Sequence, residues 1–206
     1  MSASGIPTRT RDGVILFDLG GVLIEGRGRE ALTSLLPPGA DRVDVGVRWL
    51  ECEVVRAFER GRIDSAEFAS RLVREWALEL DPEAFIAQFA RWPGDFFPGA
   101  KDLVRDLRRR HRVACFSNSN AVHWARFPDL SGLFDATFSS HLIGHVKPDR
   151  EGFEHVLGEL DVHPREVCFL DDLQPNVDSA LALGMRAHRV EGVAGVVAAL
   201  EREGLR

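Results

Sequence analysis

Val14-Ile15-Leu16-Phe17-Asp18-Leu19-Gly20-Gly21-Val22-Leu23 decides how this chain is read. Four apolar residues end on one carboxylate, and a glycine pair follows almost at once. A short apolar run bounded by turn formers reads as a strand buried on both faces, as in a parallel sheet. Asp18 then stands where the strand stops. In open α/β sheets, ligands bind outside the carboxyl ends of the strands. Taken alone, Asp18 is equally a turn residue before two glycines, and the rest of the chain has to decide.

With 206 residues the chain can bury one good core and a small accessory unit. No apolar run is long enough to span a membrane. Residues 1–12 are polar, carry Pro7 and lack the apolar segment of a signal peptide, so they are expected to be a disordered lead-in. Cys52, Cys115 and Cys168 cannot all pair. The last two lie inside apolar runs, as small buried hydrophobes do, which fits a cytoplasmic location. A formal net charge of −6 argues against nucleic acid. The basic cluster from Arg105 to Arg112 lies beside Leu103, Val104 and Leu107 at helical spacing and reads as a solvated helix face. Of 26 basic residues, only Lys101 and Lys147 are lysines. Where arginine is otherwise used throughout, a compact ammonium has a reason to be there.

Residues 29 to 92 show no strand pattern. Asp44 to Arg60 has a helical period in Val47, Leu50, Val54, Val55 and Phe58. Asp64-Ser65-Ala66-Glu67 opens a second helix, with Asp64 or Ser65 as its N-cap. Asp81-Pro82-Glu83 opens a third, carrying Phe85, Ile86 and Phe89. Trp49, Trp76 and Trp92 are expected in the core of this region, and Pro37-Pro38-Gly39 and Gly61 punctuate it. The prediction is a helical cap over 25–96.

Pro93-Gly94 and Pro98-Gly99 mark the return. An amphipathic helix over Gly99 to Arg110 precedes a strand, Arg112 to Phe116, that ends on Ser117-Asn118-Ser119-Asn120. A short strand follows at Ala136 to Ser139. The His145–Asp149 loop leads into a helix with Pro148 near its start. Glu166 to Leu170 is a strand ending on Asp171-Asp172. Pro175 to Leu183 is a helix closed by Gly184, Arg186 to Val190 a last strand, and Ala194 to Glu203 the closing helix. Strands alternating with helices imply an α/β, Rossmann-like parallel sheet core over 13–24 and 97–206.

Polar chemistry therefore gathers at one sheet edge: Asp18, Ser117-Asn118, Lys147 and Asp171-Asp172. Three carboxylates together repel unless a cation joins them, and hard oxygen ligands suit Mg²⁺. Lys147 and the Ser117 hydroxyl would hold an anion beside that metal. Such an arrangement fits phosphoryl transfer to a carboxylate nucleophile.

In these motifs the chain resembles the haloacid dehalogenase-like superfamily along nearly its whole length. The first motif matches Phe17 to Leu23, the second Ser117-Asn118, the third Lys147-Pro148, and the fourth Asp171-Asp172 with Asn176. The nearest resemblance is to its sugar-phosphate phosphatases with an Asp-Leu-Gly first motif, bacterial α-glucose-1-phosphate phosphatase among them. The resemblance implies a Mg²⁺-dependent phosphatase of small phosphorylated metabolites, sugar phosphates included. It implies that Asp18 becomes an aspartyl-phosphate, with Lys147 neutralising nucleophile and phosphate. Ser117 and Asn118 would hold phosphoryl oxygens, and Asp18, the Gly20 carbonyl, Asp171 and Asp172 would surround the metal. Partners on this reading are small metabolites, without nucleic acid or membrane, and the chain is a monomer or homodimer.

One position departs from the family. A second aspartate usually stands two residues after the nucleophile as general acid and base, and here it is Gly20. Such help is worth about 10²–10⁴-fold. Glu25, Glu59 and His123 are candidates to replace it, and the sequence does not rank them. Two alternatives remain: a binding or regulatory module with impaired catalysis, and a metal-independent haloacid dehalogenase. The second leaves Asp171-Asp172 unexplained. A receiver domain carries its acidic pair first in the chain, the reverse of the order here.

Overall fold

The computed structural model describes residues 13–37 and 45–206. The lead-in, Pro38-Gly39 and Asp44 lie outside them. The chain runs β1 (Val14–Phe17), β2 (Ile24–Gly26), α1 (Gly28–Leu35), α2 (Val45–Glu51), α3 (Glu53–Glu59), α4 (Ser65–Glu75), α5 (Pro82–Phe89) and β3 (Pro93–Phe96). It continues α6 (Ala100–Arg108), β4 (Arg112–Ser117), α7 (Ala121–Trp124), α8 (Leu130–Leu133), β5 (Ala136–Ser139), α9 (Ser140–Ile143) and α10 (Arg150–Leu160). The last elements are β6 (Val167–Asp171), α11 (Gln174–Ala182), β7 (Arg186–Arg189) and α12 (Gly192–Arg202).

Five strands form a sheet in the order β5-β4-β1-β6-β7, every neighbouring pair parallel. β1 is central, which explains why its apolar run does not alternate. Ile15 and Phe17 pack on one face with Leu103, Leu107, Val196 and Leu200 from α6 and α12. Val14 and Leu16 pack on the other with Phe153, Val156 and Val177 from α10 and α11. Successive side chains point to opposite faces, so a strand covered on both must be apolar throughout. The chain leaves β1 toward β4 and β5 on one side and later crosses to β6 and β7 on the other. The carboxyl end of β1 thus lies where the strand order reverses, the usual place for a ligand crevice.

The helices α1 to α5 have their own core, in which Phe58, Phe68, Phe85, Phe89, Trp76 and Trp92 are buried. Asp64 is the N-cap of α4 and Asp81 that of α5, each accepting a backbone N–H at 2.8 Å. The single helix expected over 44–60 is broken at Cys52, which is extended at φ −67° and ψ 115°. Trp49 and Phe58 are nine residues apart, which at about 100° per residue places them on opposite faces of an unbroken helix. Both rings pack on Phe68, at 6.3 and 4.1 Å, so the break resets the phase. β2 and β3, an unexpected antiparallel pair, join this unit to the sheet. Pro148 lies in the loop just before the N-cap Asp149 of α10, near the start of that helix as expected. The four-residue helices α7, α8 and α9 were not anticipated from the sequence. No helix among the described residues is long and apolar enough to cross a membrane.

Candidate active site

β1 delivers Asp18 to the middle of the sheet edge, where its backbone N–H donates to the Leu170 carbonyl at 2.8 Å. The tight turn that follows is closed by Leu23 and Ile24 N–H groups on the Leu19 carbonyl. Gly21 has φ +72°, and a Cβ built there would lie 2.5 Å from Asp172 Oδ2. Both facts require glycine, and together they bring the Asp172 carboxylate against the loop that follows Asp18.

Lys147 is 1% exposed. Its Nζ donates to Asp18 Oδ1 and to Asp171 Oδ2, both at 2.6 Å, and lies 5.4 Å from the rings of Phe116 and Phe169. Burial pushes the ammonium pKa down, but Asp171 and Asp18 outweigh it and raise it, so the lysine stays charged. The Asn118 side chain fixes the lysine's backbone: its amide nitrogen donates to the Lys147 carbonyl, and its oxygen accepts the Lys147 N–H, each at 2.8 Å. The side chain of Asn118, a residue expected to bind phosphate, thus positions Lys147.

Asp171 is equally committed. Besides Lys147, it accepts the Leu173 N–H at 2.9 Å and the Asn176 amide at 2.9 and 3.1 Å. Asp172 takes no side-chain donor among the described residues, and neither does the Ser117 hydroxyl. Burial, then Asp171 and Asp172 against the relief from Lys147, pushes Asp18 up to about 7. Burial and Asp171 push Asp172 up to about 6. Three carboxylates around one ammonium carry surplus negative charge, and the buried Asn176 Oδ1 has no donor among the described residues. Unpaired hard oxygens of this kind fit a divalent cation.

The cap bears directly on this edge. Arg56 Nη2 donates to both oxygens of Asp149 at 2.7 and 2.8 Å, and Arg60 binds the same carboxylate. Gly61, at φ +68°, packs its α-carbon against the His141 carbonyl where no side chain would fit. His123 stacks on Phe89 at 4.0 Å, and its Nε2 meets the Phe89 carbonyl at 2.8 Å. Burial holds this imidazole down at about 4, so it is neutral. The Arg56–Arg60–Asp149 clasp was missed in the sequence. Its signal was two arginines four apart on one helix and an aspartate two residues past Lys147. The expected lysine pair separates: Lys101 lies over the Phe96 ring at 4.7 Å, away from the site.

Carboxylates, an ammonium and a hydroxyl meeting at the carboxyl edge of a parallel sheet, beneath a helical cap, define a capped α/β hydrolase. The chain belongs to the haloacid dehalogenase-like hydrolases, whose family model matches residues 13–184. It is 25% identical over 191 residues to the D-ribitol-5-phosphate phosphatase of Bacteroides thetaiotaomicron, covering 86% of this chain and 91% of that protein. It is 30% identical over 176 residues to a sesquiterpene phosphatase of Aspergillus oryzae, covering 82% and 85%. A haloacid dehalogenase family enzyme of Bacteroides thetaiotaomicron, solved as its magnesium complex, shares the fold. The TM-score is 0.71 at 23% identity, with 88% and 94% of the two chains covered.

Proposed function

We propose that the chain is a Mg²⁺-dependent phosphatase of small phosphorylated metabolites that works through an aspartyl-phosphate on Asp18. The observation that carries this reading is Lys147, bridging Asp18 and Asp171 at 2.6 Å each, with the Asp172 carboxylate beside them taking no side-chain donor among the described residues. The named phosphatases among the relatives, one of them acting on a sugar-alcohol phosphate, support the substrate class.

In this reading Asp18, Asp172 and the Gly20 carbonyl would hold the cation, whose charge would screen the nucleophile from the phosphate. Asp171 stands behind them, fixing Lys147. The free oxygen of Asp18 attacks phosphorus, and the leaving oxygen departs with the bond's electrons. Lys147 keeps Asp18 oriented and offsets charge that grows on the phosphoryl oxygens. The Ser117 hydroxyl donates to one of those oxygens. Water then attacks the aspartyl-phosphate and regenerates the Asp18 carboxylate. The Asn118 amide contributes by holding Lys147 in register.

Purified protein is expected to release phosphate from a panel of monoesters only with Mg²⁺. Asp18→Asn, folded by circular dichroism, should lose on the order of 10³-fold or more in kcat. Turnover that survives in Asp18→Asn, or halide release without metal, would overturn the reading.

A further inference from the structure

Resting on the phosphatase reading, the geometry points to Glu59 as the residue that protonates the leaving-group oxygen, in place of the carboxyl absent at Gly20. The space beside the nucleophile is open: a Cβ built at Gly20 meets only Asp18 Oδ2, at 4.0 Å. A proton donor must therefore come from elsewhere. Glu25 pairs with Arg27 at 2.6 Å in a solvent-facing contact. His123 has one ring nitrogen on the Phe89 carbonyl and the other facing the Asn120 amide at 3.3 Å, so it braces cap to core and its one N–H is committed to that carbonyl.

Glu59 is the last residue of α3. It follows Arg56 by three positions and precedes Arg60, so all three share one side of the helix end. Both arginines hold Asp149, two residues beyond Lys147, and Gly61 seals the following turn on His141. The end of α3 is thereby clamped onto the loop that presents Lys147, with Glu59 on the clamped side and within range of the Lys147 charge. The Trp49 side chain donates a hydrogen bond to Glu59, and Lys147, Arg56 and Arg60 act on its charge. Burial outweighs all of these and pushes its carboxyl up to about 7. An acid poised near neutrality suits proton transfer at neutral pH.

The protons balance over two steps. As Asp18 attacks, the bond from phosphorus to the leaving oxygen breaks, and that oxygen takes its proton from Glu59. The Glu59 carboxylate next removes a proton from the water that attacks the aspartyl-phosphate. The bond to Asp18 breaks, and Glu59 is again protonated. Alcohol leaving groups need this help; a nitrophenolate does not. The inference therefore adds a substrate class, phosphate monoesters of alkyl alcohols.

Full-length protein and Glu59→Gln, which keeps the size and the Trp49 contact, are compared with Mg²⁺ on ribitol 5-phosphate and 4-nitrophenyl phosphate. Glu59→Gln is expected to lose about 10²–10⁴-fold in kcat on the alkyl ester. It should still give a stoichiometric nitrophenol burst followed by slow turnover. The wild-type alkyl rate should fall as pH rises past about 7, and that limb should vanish in Glu59→Gln. Adding Gly20→Asp, which the open space accommodates, should restore alkyl turnover. Equal losses of the first step on both esters, no loss at all, or no rescue by Gly20→Asp overturns the assignment to Glu59. Inactivity of the wild-type protein on both esters instead overturns the phosphatase reading beneath it.

Discussion

Lys147 ties the proposed chemistry to the stability of this molecule through its buried bonds to Asp18 and Asp171. A buried ammonium between two buried carboxylates is costly to desolvate, and removing one partner of such a set costs about 3–5 kcal/mol. Lys147→Met should therefore lower the melting temperature by about 6–20 °C as well as abolish turnover. Adding Asp18→Asn removes one of the stranded charges and should recover part of the loss. Equal melting of single and double variants would mean that the carboxylates do not depend on the lysine. At this scale the sequence was informative where residue choice was unusual: one lysine of a pair among many arginines, and glycines beside an aspartate. It did not show that the Asn118 side chain clamps the Lys147 backbone, because an amide that binds a ligand and one that holds a backbone look alike in one dimension. For Asp171, expected beside the metal, the bonds to Leu173 and Asn176 were equally invisible in the sequence.

At the scale of elements, α3 and the loop before α10 act together through Asp149. Burial raises this carboxyl's pKa, but Arg56 and Arg60 outweigh burial and hold it below the usual range. A depressed folded value means that the clasp stabilises at pH above the ordinary carboxylate range, and that this contribution is lost as pH falls through the depressed value, below about pH 4. Asp149→Asn should cost about 1 kcal/mol at pH 7 and speed amide exchange in α3. Wild type and variant should converge in melting temperature under acid; a constant difference down to pH 2 would refute the clasp. The elements themselves were legible where period and capping agreed, as in α4 and in β1, β4 and β6. The break at Cys52 was not, since nothing local marks it. Only the position of Phe68, packed by both Trp49 and Phe58, makes it necessary. β2 and β3 escaped notice because Gly26, Pro93 and Gly94 argue against strands, and only their mutual pairing makes them one.

Across the whole molecule, two cores do different work. The sheet's two faces hold the site's framework, and the cap's aromatic cluster is built from Phe58, Phe68, Phe85 and Phe89. Phe68→Ala should cost about 3–5 kcal/mol in the cap. Amide exchange should rise across 45–92 while β1, β4 and β6 remain protected. Uniform loosening of both parts would show that they form a single cooperative unit.

The antiparallel pair beneath the cap has one more consequence. Ile24 lies opposite Phe96 and Gly26 opposite Pro93, so the chain leaves and re-enters the sheet domain side by side. Closing an insert whose ends already touch costs little entropy, and that cost grows slowly with length. The cap is thus a replaceable module on a fixed doorway. Transplanting the cap of another family member between Gly26 and Pro93 should redirect which esters enter while leaving the framework of Asp18, Lys147, Asp171 and Asp172 assembled below.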